Sequence, residues 1–418
     1  MNQELQIEIL QELMQQLDTG KNINAGVQYQ MPTTSYVCGE TAAKEWEHFF
    51  RNHPQLIGLS HDLPEPGSFL TIDDLGTPLL ATRDKQGNFH AFVNACRHRS
   101  VRVASAERGK ASLFMCPFHN WSYGNTGALL NIPNEEHFGP IDKACHGLVE
   151  LPALERDGLL WIHPDPDGVL DVDNLLGELG PELASYNMGA HQYAGTKTIK
   201  MRLNWKFAND TFGETYHFGK LHKNTLGQLY YGNNLHFKEF GRHHRFVTAS
   251  KGIDSMRALP QSEWNIHRGT FVLYHLFPNI QLVVSEDSTT LIRIYPDPQE
   301  PARSITQVSF YFTPDSADLS DDETSQIAPE DVYNYERRSS EGRGASLAAS
   351  FEVFRSTIEQ EDYLMGEMQQ IAAESGRLKY ILFGKNEPAL HHFHANYREA
   401  LGQAPLEPIA PMDEALSR

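Results

Sequence analysis

Two short segments of this chain each pair one cysteine with one histidine, and this pairing constrains the fold more than any other feature. The first segment reads Cys96-x-His98 and the second reads Cys116-x-x-His119. Thiolates and imidazoles at such short spacings are common metal ligands in proteins. We therefore expect the chain to fold so that two loops meet around one metal centre.

The order of the ligands separates two kinds of metal centre. A two-iron, two-sulfide cluster of Rieske type binds one iron through two cysteines and the other through two histidines, so each segment supplies one ligand to each iron. Structural zinc fingers usually order their ligands Cys, Cys, His, His, whereas here the order is Cys, His, Cys, His. We predict that Cys96, His98, Cys116 and His119 bind a [2Fe-2S] cluster, with zinc as the alternative.

Composition limits the remaining roles of the chain. Only four cysteines occur in 418 residues, too few for a disulfide framework, and we predict that Cys38 and Cys145 are ordinary buried thiols. A net charge of −19 without clustered Lys and Arg argues against a nucleic-acid partner. No signal sequence and no long apolar run is visible, which favours a cytoplasmic protein with no membrane partner.

A second group of candidate ligands comprises Glu214, His217 and His222. We predict a helix from about Leu203 to His217, on which Glu214 and His217 share a face. His217 and His222 would lie about 140° apart on a regular helix, so joint metal binding requires a π-bulge or a helix that ends near Gly219. Taken alone, two histidines at this spacing are better explained by structural roles.

Asp362, later in the chain, favours metal binding over structural roles for these two histidines. Apolar residues recur at helical spacing in this later stretch, and Asp362 falls within their stripe: Phe351, Phe354, Ile358, Met365 and Met368. A buried carboxylate without a partner is costly, so we expect a cation beside it. Two histidines and one carboxylate form the facial triad of non-haem iron(II) oxygenases. We predict that His217, His222 and Asp362 bind a mononuclear iron.

These segments resemble a known family. Cys96-Arg97-His98-Arg99 and Cys116-Pro117-Phe118-His119-Asn120-Trp121-Ser122-Tyr123 are similar to the two halves of the Rieske motif in the catalytic (alpha) subunits of Rieske non-haem iron oxygenases, the aromatic ring-hydroxylating dioxygenase family. The resemblance extends to the Trp-Lys segment at Trp205, to Tyr216-His217 and His222, and to Asp362 ahead of Gln369. It covers nearly the whole chain, from Pro66 to the late helices.

The resemblance and the pattern of elements together predict an α+β fold. We expect N-terminal helices in 1–54 that pack on the catalytic domain, a small β-rich Rieske domain in 55–165, and a catalytic domain in 166–418. The catalytic domain would combine an antiparallel sheet with helices, as in a helix-grip fold. Strands are predicted at Leu79–Thr82, Phe89–Val93, Gly158–Ile162, Thr270–Tyr274 and Ile280–Val284. Helices are predicted at Leu5–Met14 and Ala42–Phe50, and an exposed acidic loop is predicted at Asp315–Glu323.

The family also implies a function. Electrons would pass from NADH through a separate reductase, alone or with a ferredoxin, to the Rieske cluster and then to the Fe(II), where dioxygen is activated to hydroxylate an aromatic or similar small organic substrate. The chain has no Gly-x-Gly-x-x-Gly fingerprint, so the reductase is a partner. The family assembles as a head-to-tail homotrimer, with or without a β subunit. Glu214 would then bridge His119 of one subunit to His217 of the next.

One departure leaves the reaction open. Glu214 stands where many aromatic dioxygenases of the family have Asp, and members that act on quaternary ammonium compounds such as carnitine more often have Glu. The first alternative is therefore a Rieske monooxygenase that demethylates or cleaves a quaternary ammonium compound. The alternative from another class is a pure electron carrier, which would have no need of Asp362.

Other histidine and aromatic clusters are predicted to be structural. Adjacent histidines on a helix point to different faces, so we expect His391, His392, His394 and the pair His243-His244 to serve packing or interface roles. Phe207, Phe212, Tyr274 and Phe277 are expected to be ordinary core residues instead of a pocket lining.

Overall fold

The computed structural model describes residues 1–317 and 347–409. The strands of these residues, in chain order, are β1 (Tyr29–Pro32), β2 (Gln55–Leu59), β3 (Ser68–Ile72), β4 (Leu79–Arg83), β5 (Phe89–Val93), β6 (Arg108–Lys110), β7 (Leu113–Met115), β8 (Ser122–Gly124), β9 (Leu129–Asn131), β10 (Glu150–Leu151), β11 (Ala153–Arg156), β12 (Leu159–Ile162), β13 (Gln192–Met201), β14 (His236–Phe240), β15 (His243–Ala249), β16 (Thr270–Leu276), β17 (Ile280–Val284), β18 (Ser288–Pro296), β19 (Ser304–Phe312), β20 (Tyr380–Phe383) and β21 (Glu407–Pro408).

The α-helices are α1 (Gln3–Thr19), α2 (Gly39–Glu45), α3 (Val172–Leu176), α4 (Gly180–Ala184), α5 (Trp205–Asp210), α6 (Leu226–Leu229), α7 (Ile253–Met256), α8 (Ile266–Gly269), α9 (Pro314–Ala317), α10 (Leu347–Thr357), α11 (Tyr363–Glu374) and α12 (Pro388–Ala400). Two π-helical turns, Trp46–Arg51 and Ile358–Asp362, continue α2 and α10. Short 3₁₀ turns include Thr33–Tyr36 and several connecting segments. None of the helices described here is long and apolar enough to cross a membrane.

Contacts divide the chain into two compact units. The smaller unit is Glu45–Tyr193, and the larger unit combines Met1–Lys44 with Ala194–Arg418. The domain boundaries proposed from sequence, at 54/55 and 165/166, stay predictions. Antiparallel sheets with helices in the larger unit and short strands in the smaller one confirm the predicted α+β class.

The smaller unit is built from short antiparallel strands around one core. A five-stranded sheet has the order β10-β5-β4-β3-β6, and two three-stranded sheets have the orders β11-β12-β2 and β7-β8-β9. All of β4 is buried, as expected for a central strand. The core of the smaller unit includes Leu80, Phe92 and Tyr123 together with Cys96 and Cys116. The two cysteines among the predicted metal ligands are therefore anchored in this core.

The larger unit is organised by one antiparallel sheet of seven strands in the order β13-β19-β18-β17-β16-β15-β14. Helix α5 contacts the sheet at β18 and β19, and helix α12 contacts it at β14 and β15. Helix α11 packs against α5. Helix α1 also packs on β14 and β15. The predicted helix Leu5–Met14 and the five predicted strands all coincide with observed elements.

Two local predictions need revision. The predicted helix Ala42–Phe50 is α-helical only to Glu45 and continues as the π turn Trp46–Arg51. The predicted acidic loop begins inside the short helix α9, and residues 318–323 lie outside the described residues.

Candidate metal centres

The two Cys-His segments form loops with the same backbone pattern. In each loop the cysteine carbonyl accepts a hydrogen bond from the amide four residues on, Ser100 N to Cys96 O at 2.8 Å and Asn120 N to Cys116 O at 2.9 Å. Ser100 and Asn120 both adopt φ 58°, in the left-handed region that few residues other than glycine favour. The sequence therefore folds the two ligand segments into matching tight turns.

The histidines of the two loops face each other. The rings of His98 and His119 have centroids 4.6 Å apart, and His98 stacks on Trp121 with an interplanar angle of 14°. The cysteines are buried in the core, whereas the histidines are partly exposed. The Tyr123 hydroxyl lies 3.3 Å from Cys96 Sγ. The cysteine pair thus forms the inner side of the candidate site and the histidine pair forms the outer side.

The contacts of the two ring nitrogens of His119 show whether this site suits a cluster. Its Nδ1 is buried and has no hydrogen-bond partner among the described residues, while its Nε2 lies 2.9 Å from Arg99 Nη2. Partial burial and the charges of Arg99 and His98 lower the pKa of His119. A neutral imidazole with a free inner nitrogen is the form that binds a metal. Cys96, His98, Cys116 and His119 fit a Rieske cluster, which when bound would accept and pass on single electrons.

The second candidate centre is formed by His217, His222 and Asp362. His217 Nε2 and His222 Nε2 lie 3.1 Å apart, and Asp362 Oδ1 is 3.3 Å from the first and 3.1 Å from the second. Ligands at about 2.1 Å from a metal, as in typical metal–imidazole bonds, lie about 3.0 Å apart when they occupy adjacent octahedral positions. Within the described part of the chain, this is the one group of three histidine, cysteine or acidic side chains whose candidate ligand atoms all lie within 4.8 Å of one another.

The two histidines do not lie on a helix. Helix α5 ends at Asp210, and residues 211–225 form turns before α6 begins at Leu226. The prediction of a helix from Leu203 to His217 was therefore wrong beyond Asp210. Because a turn segment has no fixed 100° step between residues, His217 and His222 can point to one place without a π-bulge.

The irregular helix occurs instead at the carboxylate. Asp362 is the last residue of the π turn Ile358–Asp362 and directly precedes α11. The apolar stripe predicted around it is only partly buried, since Met365 and Met368 are exposed. Asp362 itself is buried, as predicted. The π turn inserts an extra residue per turn and so shifts the face on which Asp362 projects.

Each histidine is held by a second carboxylate. Glu214 Oε1 lies 2.5 Å from His217 Nδ1, and Glu361 Oε2 lies 2.7 Å from His222 Nδ1. Thr225 Oγ1 donates to the same Glu361 oxygen at 2.9 Å. The contact of Glu361 was missed in the sequence analysis, which assigned no role to this residue. Such partners fix the orientation of a ligand imidazole and leave Nε2 for the metal.

The electrostatics of the triad favour a cation. Burial alone would lower the pKa of His217, but its hydrogen bonds with Asp362 and Glu214 raise it to about 10. Burial acts to raise the pKa of Asp362, and the hydrogen bonds with His217 and His222 outweigh it and lower that pKa. A divalent ion would take the place of the proton between these groups, so the donor set fits Fe(II).

A cavity opens beside the triad. It has a volume of about 510 Å³, and we call it the iron cavity. His217 and Asp362 form part of its wall, together with Glu214, Asp210 and Phe207. Phe207, predicted to be ordinary core, is buried and also lines this cavity.

A second cavity of about 300 Å³ combines aromatic rings with two carboxylates, and we call it the aromatic cavity. Its lining includes Tyr230, Phe271, Phe310, Phe351, Phe354, Glu286 and Asp287. Leu226 and Leu229 on its wall pack against Phe218, whose ring lies 5.4 Å from that of His222.

The remaining predicted residues occupy other environments. Cys145 is exposed and donates to Asp142, and Cys38 is partly buried, so the prediction of buried thiols was wrong for both. His244 and His392 lie within a hydrogen bond of each other through their Nδ1 atoms at 3.0 Å. His394 contacts Asp210, which lines the iron cavity.

Comparison with known proteins identifies both parts of the chain. Residues 53–151 match the Rieske [2Fe-2S] domain, and residues 188–403 match the ring hydroxylating alpha subunit (catalytic domain). The chain is 29% identical over 201 residues to the glycine betaine monooxygenase oxygenase subunit of Chromohalobacter salexigens, which is 48% of this chain and 45% of that relative. It is 31% identical over 182 residues to the biphenyl 2,3-dioxygenase subunit alpha of Rhodococcus jostii, covering 42% of this chain and 39% of the relative.

Solved structures share the fold. The quaternary ammonium Rieske monooxygenase CntA in complex with L-carnitine superimposes with a TM-score of 0.69 at 19% identity, over 90% of this chain and 97% of that chain. Naphthalene 1,2-dioxygenase with indole bound gives 0.66 at 17%, over 91% and 94%. The sequence matches span less than half the length of the two curated relatives. Since the catalytic-domain match covers more than half of its residues, this chain belongs to the family of ring-hydroxylating oxygenase alpha subunits, the catalytic subunits of Rieske oxygenases.

Proposed function

We propose that this protein is the terminal component of a Rieske oxygenase, which activates dioxygen at a mononuclear iron to hydroxylate an aromatic or similar small organic substrate. The convergence of His217, His222 and Asp362 on one point supports this proposal most strongly. Three protein ligands leave coordination positions open for dioxygen. Electrons would come from NADH through a reductase to the cluster bound by the two Cys-His loops. A pure electron carrier would have no use for this second centre.

Metal and sulfide analysis tests the proposal directly. Protein assembled without air and supplied with iron(II) should hold three irons and two acid-labile sulfides per chain, and should form product with a surrogate reductase, NADH and dioxygen. Two irons and two sulfides without any further iron would favour the electron carrier. Zinc without sulfide would exclude the cluster.

A quaternary ammonium compound is the second candidate substrate. The aromatic cavity brings five aromatic rings together with Glu286 and Asp287. Aromatic faces and carboxylates both attract an alkylated ammonium group. Glu286 also pairs with Arg268 at 3.1 Å, so part of its charge is already balanced. In this case the reaction would be a monooxygenation that demethylates or cleaves the substrate.

A pair of matched substrates separates the two candidates. Each quaternary ammonium compound is compared with its neutral isostere, in which carbon replaces the cationic nitrogen, and both are compared with simple aromatic hydrocarbons. Preference for the cation over its isostere supports the second candidate. Product from aromatic hydrocarbons alone would favour ring hydroxylation and exclude it.

We further propose that the chain assembles head to tail as a trimer. Exposed apolar residues surround the cluster loops, namely Leu113, Met115, Phe118, Leu130 and Phe138, and basic Arg97 and Arg99 lie among them. Exposed apolar residues also lie on and around α11 and β20, namely Tyr216, Leu364, Met365, Met368 and Leu382, beside the acidic Glu214 and Glu387 of the iron cavity. Apolar side chains on both surfaces, with arginines on one and acids on the other, support such a contact, and a heterologous contact whose rotation closes after three subunits forms a ring.

Glu214 would act as the bridge between subunits in this assembly. It already holds His217 Nδ1, and its other partner would be His119 of the neighbouring subunit. In the single chain, Arg99 occupies the outer nitrogen of His119. Docking would therefore place the Glu214 carboxylate against both Arg99 and His119, a charge-assisted contact.

A further inference from the structure

One carboxylate beside the iron cavity has two buried partners. Asp210 Oδ2 accepts a hydrogen bond from the Tyr36 hydroxyl at 2.8 Å, and His394 Nε2 lies 2.8 Å from Asp210 Oδ1. The three side chains come from the 3₁₀ turn Thr33–Tyr36, from the end of α5 and from α12. The fold thus joins three distant segments at a single acid.

The acid has one open side. Tyr36 and His394 are fully buried, and Tyr36 stacks on Phe207 with ring centroids 3.8 Å apart. The Asp210 side chain keeps 13% of its surface exposed and lines the iron cavity together with Glu214 and His217. Asp210 therefore connects a closed hydrogen-bonded pair to the space beside the iron ligands.

If its role were only structural, His394 would lower the stability of the fold more than an alternative hydrogen-bond donor would. Its Nε2 bonds Asp210, but its Nδ1 is buried without a hydrogen-bond partner among the described residues. A buried polar atom left without a partner costs about 1–3 kcal/mol. An amide side chain could donate to Asp210 equally well, but only an imidazole can also give up and regain the bonded proton near neutral pH.

We propose that Asp210 and His394 form a proton-donating pair for the oxygen chemistry at the iron. This inference rests on the proposed function. Monooxygenation consumes protons: substrate R–H, dioxygen, two electrons from the reductase and two protons give R–OH and water. One of these protons passes from Nε2 of a His394 imidazolium to Asp210 Oδ1 and from Asp210 into the iron cavity, which leaves a neutral imidazole with its proton on Nδ1 until a proton from solvent restores the imidazolium. Asp210 is the donor, and His394 acts through it.

Two substitutions remove proton transfer while keeping shape. Asp210→Asn keeps the size of the side chain but cannot pass on a proton, and His394→Gln keeps a hydrogen-bond donor but cannot be protonated near neutral pH. Each should lower turnover about tenfold or more, within the range of general acid catalysis. Each should also raise the solvent deuterium isotope effect on turnover, because proton delivery becomes rate-limiting. Iron affinity, measured by competition with a chelator, should stay at the parental value.

A third variant controls for local loss of structure. Gln281 Nε2 donates to Asn209 Oδ1 at 2.8 Å, so Gln281→Met loosens the same end of α5 without touching the pair. It should lower the melting temperature but leave turnover per folded protein and the isotope effect unchanged.

The outcomes separate the alternatives. An active parent with normal turnover and isotope effect in both Asp210→Asn and His394→Gln overturns the proton-donating pair and leaves the oxygenase proposal standing. Reduced iron affinity in both variants would instead show that Asp210 positions the ligands, and would also overturn the proposal. A parent that forms no product with any substrate, despite full iron loading and a reducible cluster, rejects the proposed function and the pair together.

Discussion

Adjacent acids at the second candidate metal centre make different contacts in the structure. Asp362 Oδ1 converges with the two Nε2 atoms, whereas Glu361 contacts only the Nδ1 of His222 and the hydroxyl of Thr225. Sequence alone could identify the acidic stretch but could assign the ligand only by its place in an apolar stripe. The role of Glu361 depends on the direction set by the π turn, which periodicity does not reveal.

Asp362→Ala should abolish product formation while the Rieske cluster remains intact. The substitution removes one of the three side chains proposed to bind the mononuclear iron and leaves the Cys-His loops untouched. Iron content should fall from three to two per chain, with the visible absorbance of the cluster and its reduction by dithionite unchanged. Retained activity would move the ligand assignment to Glu361 or Glu359.

Glu361→Gln should weaken iron binding without abolishing it. A neutral amide accepts the Nδ1 proton of His222 less strongly than a carboxylate, so the imidazole becomes a poorer ligand. We expect iron affinity to fall about 10–100-fold, as is common when such a partner is lost, measured by chelator competition. Glu359→Gln is the matched control, because Glu359 pairs with Arg355, whereas the carboxylate partners of His222 are Glu361 and Asp362. Equal losses in the two variants would contradict the role given to Glu361.

At the scale of elements, regular periodicity predicted the strands and α1 well and the ligand-bearing segments poorly. Strands β4, β5, β16 and β17 coincide with predicted runs because a buried strand needs only a short apolar segment. The segment 211–225 has no such signature, since its conformation follows from local contacts such as the Glu214 carboxylate accepting from His217 N at 3.2 Å. Candidate ligands could therefore be predicted from sequence, but their backbone could not.

The packing of α11 gives a prediction for an element. A Cβ on Gly366 would lie 2.4 Å from Cδ1 of the buried Leu203. Overpacking of this kind costs about 1–3 kcal/mol, and the gain in helix propensity from Gly to Ala returns only about 1 kcal/mol. Gly366→Ala should therefore lower the free energy of unfolding by about 1 kcal/mol, measured by urea denaturation.

The same substitution should also lower iron affinity, because α11 begins directly after Asp362 and a displaced helix moves that ligand. Gly39→Ala is the control, since a Cβ there meets nothing within 4 Å and its backbone needs no glycine. If Gly366→Ala kept the parental stability and iron affinity, α11 would not be the element that positions Asp362.

At the scale of the whole molecule, the pattern of elements and the resemblance carried by the two Cys-His segments and the later ligand segments together predicted the fold class and the family. The substrate could not be predicted, because the aromatic cavity is assembled from strands β16, β17, β18 and β19, from α6 and from α10, and no single stretch of sequence contains it. Assembly is likewise a property of surfaces that form only in the fold. The exposed apolar residues beside the cluster loops and those on α11 are scattered in sequence, so the surfaces proposed for assembly could not be recognised from the sequence alone.

Mixed assemblies provide the test of electron transfer between subunits. A Cys96→Ser subunit lacks a cluster ligand and an Asp362→Ala subunit lacks an iron ligand, so each should be inactive alone. If the cluster of one subunit serves the iron of the next, trimers that contain both should regain activity, because some interfaces pair an intact cluster with an intact iron. Random mixing of equal amounts puts such a pair at about one quarter of the interfaces of a cyclic trimer. The two variants are co-produced with different affinity tags and purified through both, which removes trimers of a single kind. Every mixed cyclic trimer has one such interface among its three, so the purified protein should approach about a third of the parental turnover. The doubly substituted subunit mixed with either single variant should stay inactive.

Mixed trimers with no recovered activity would show that electrons pass within one chain. Light scattering that found a fully active monomer would exclude both the trimer and the bridging role of Glu214.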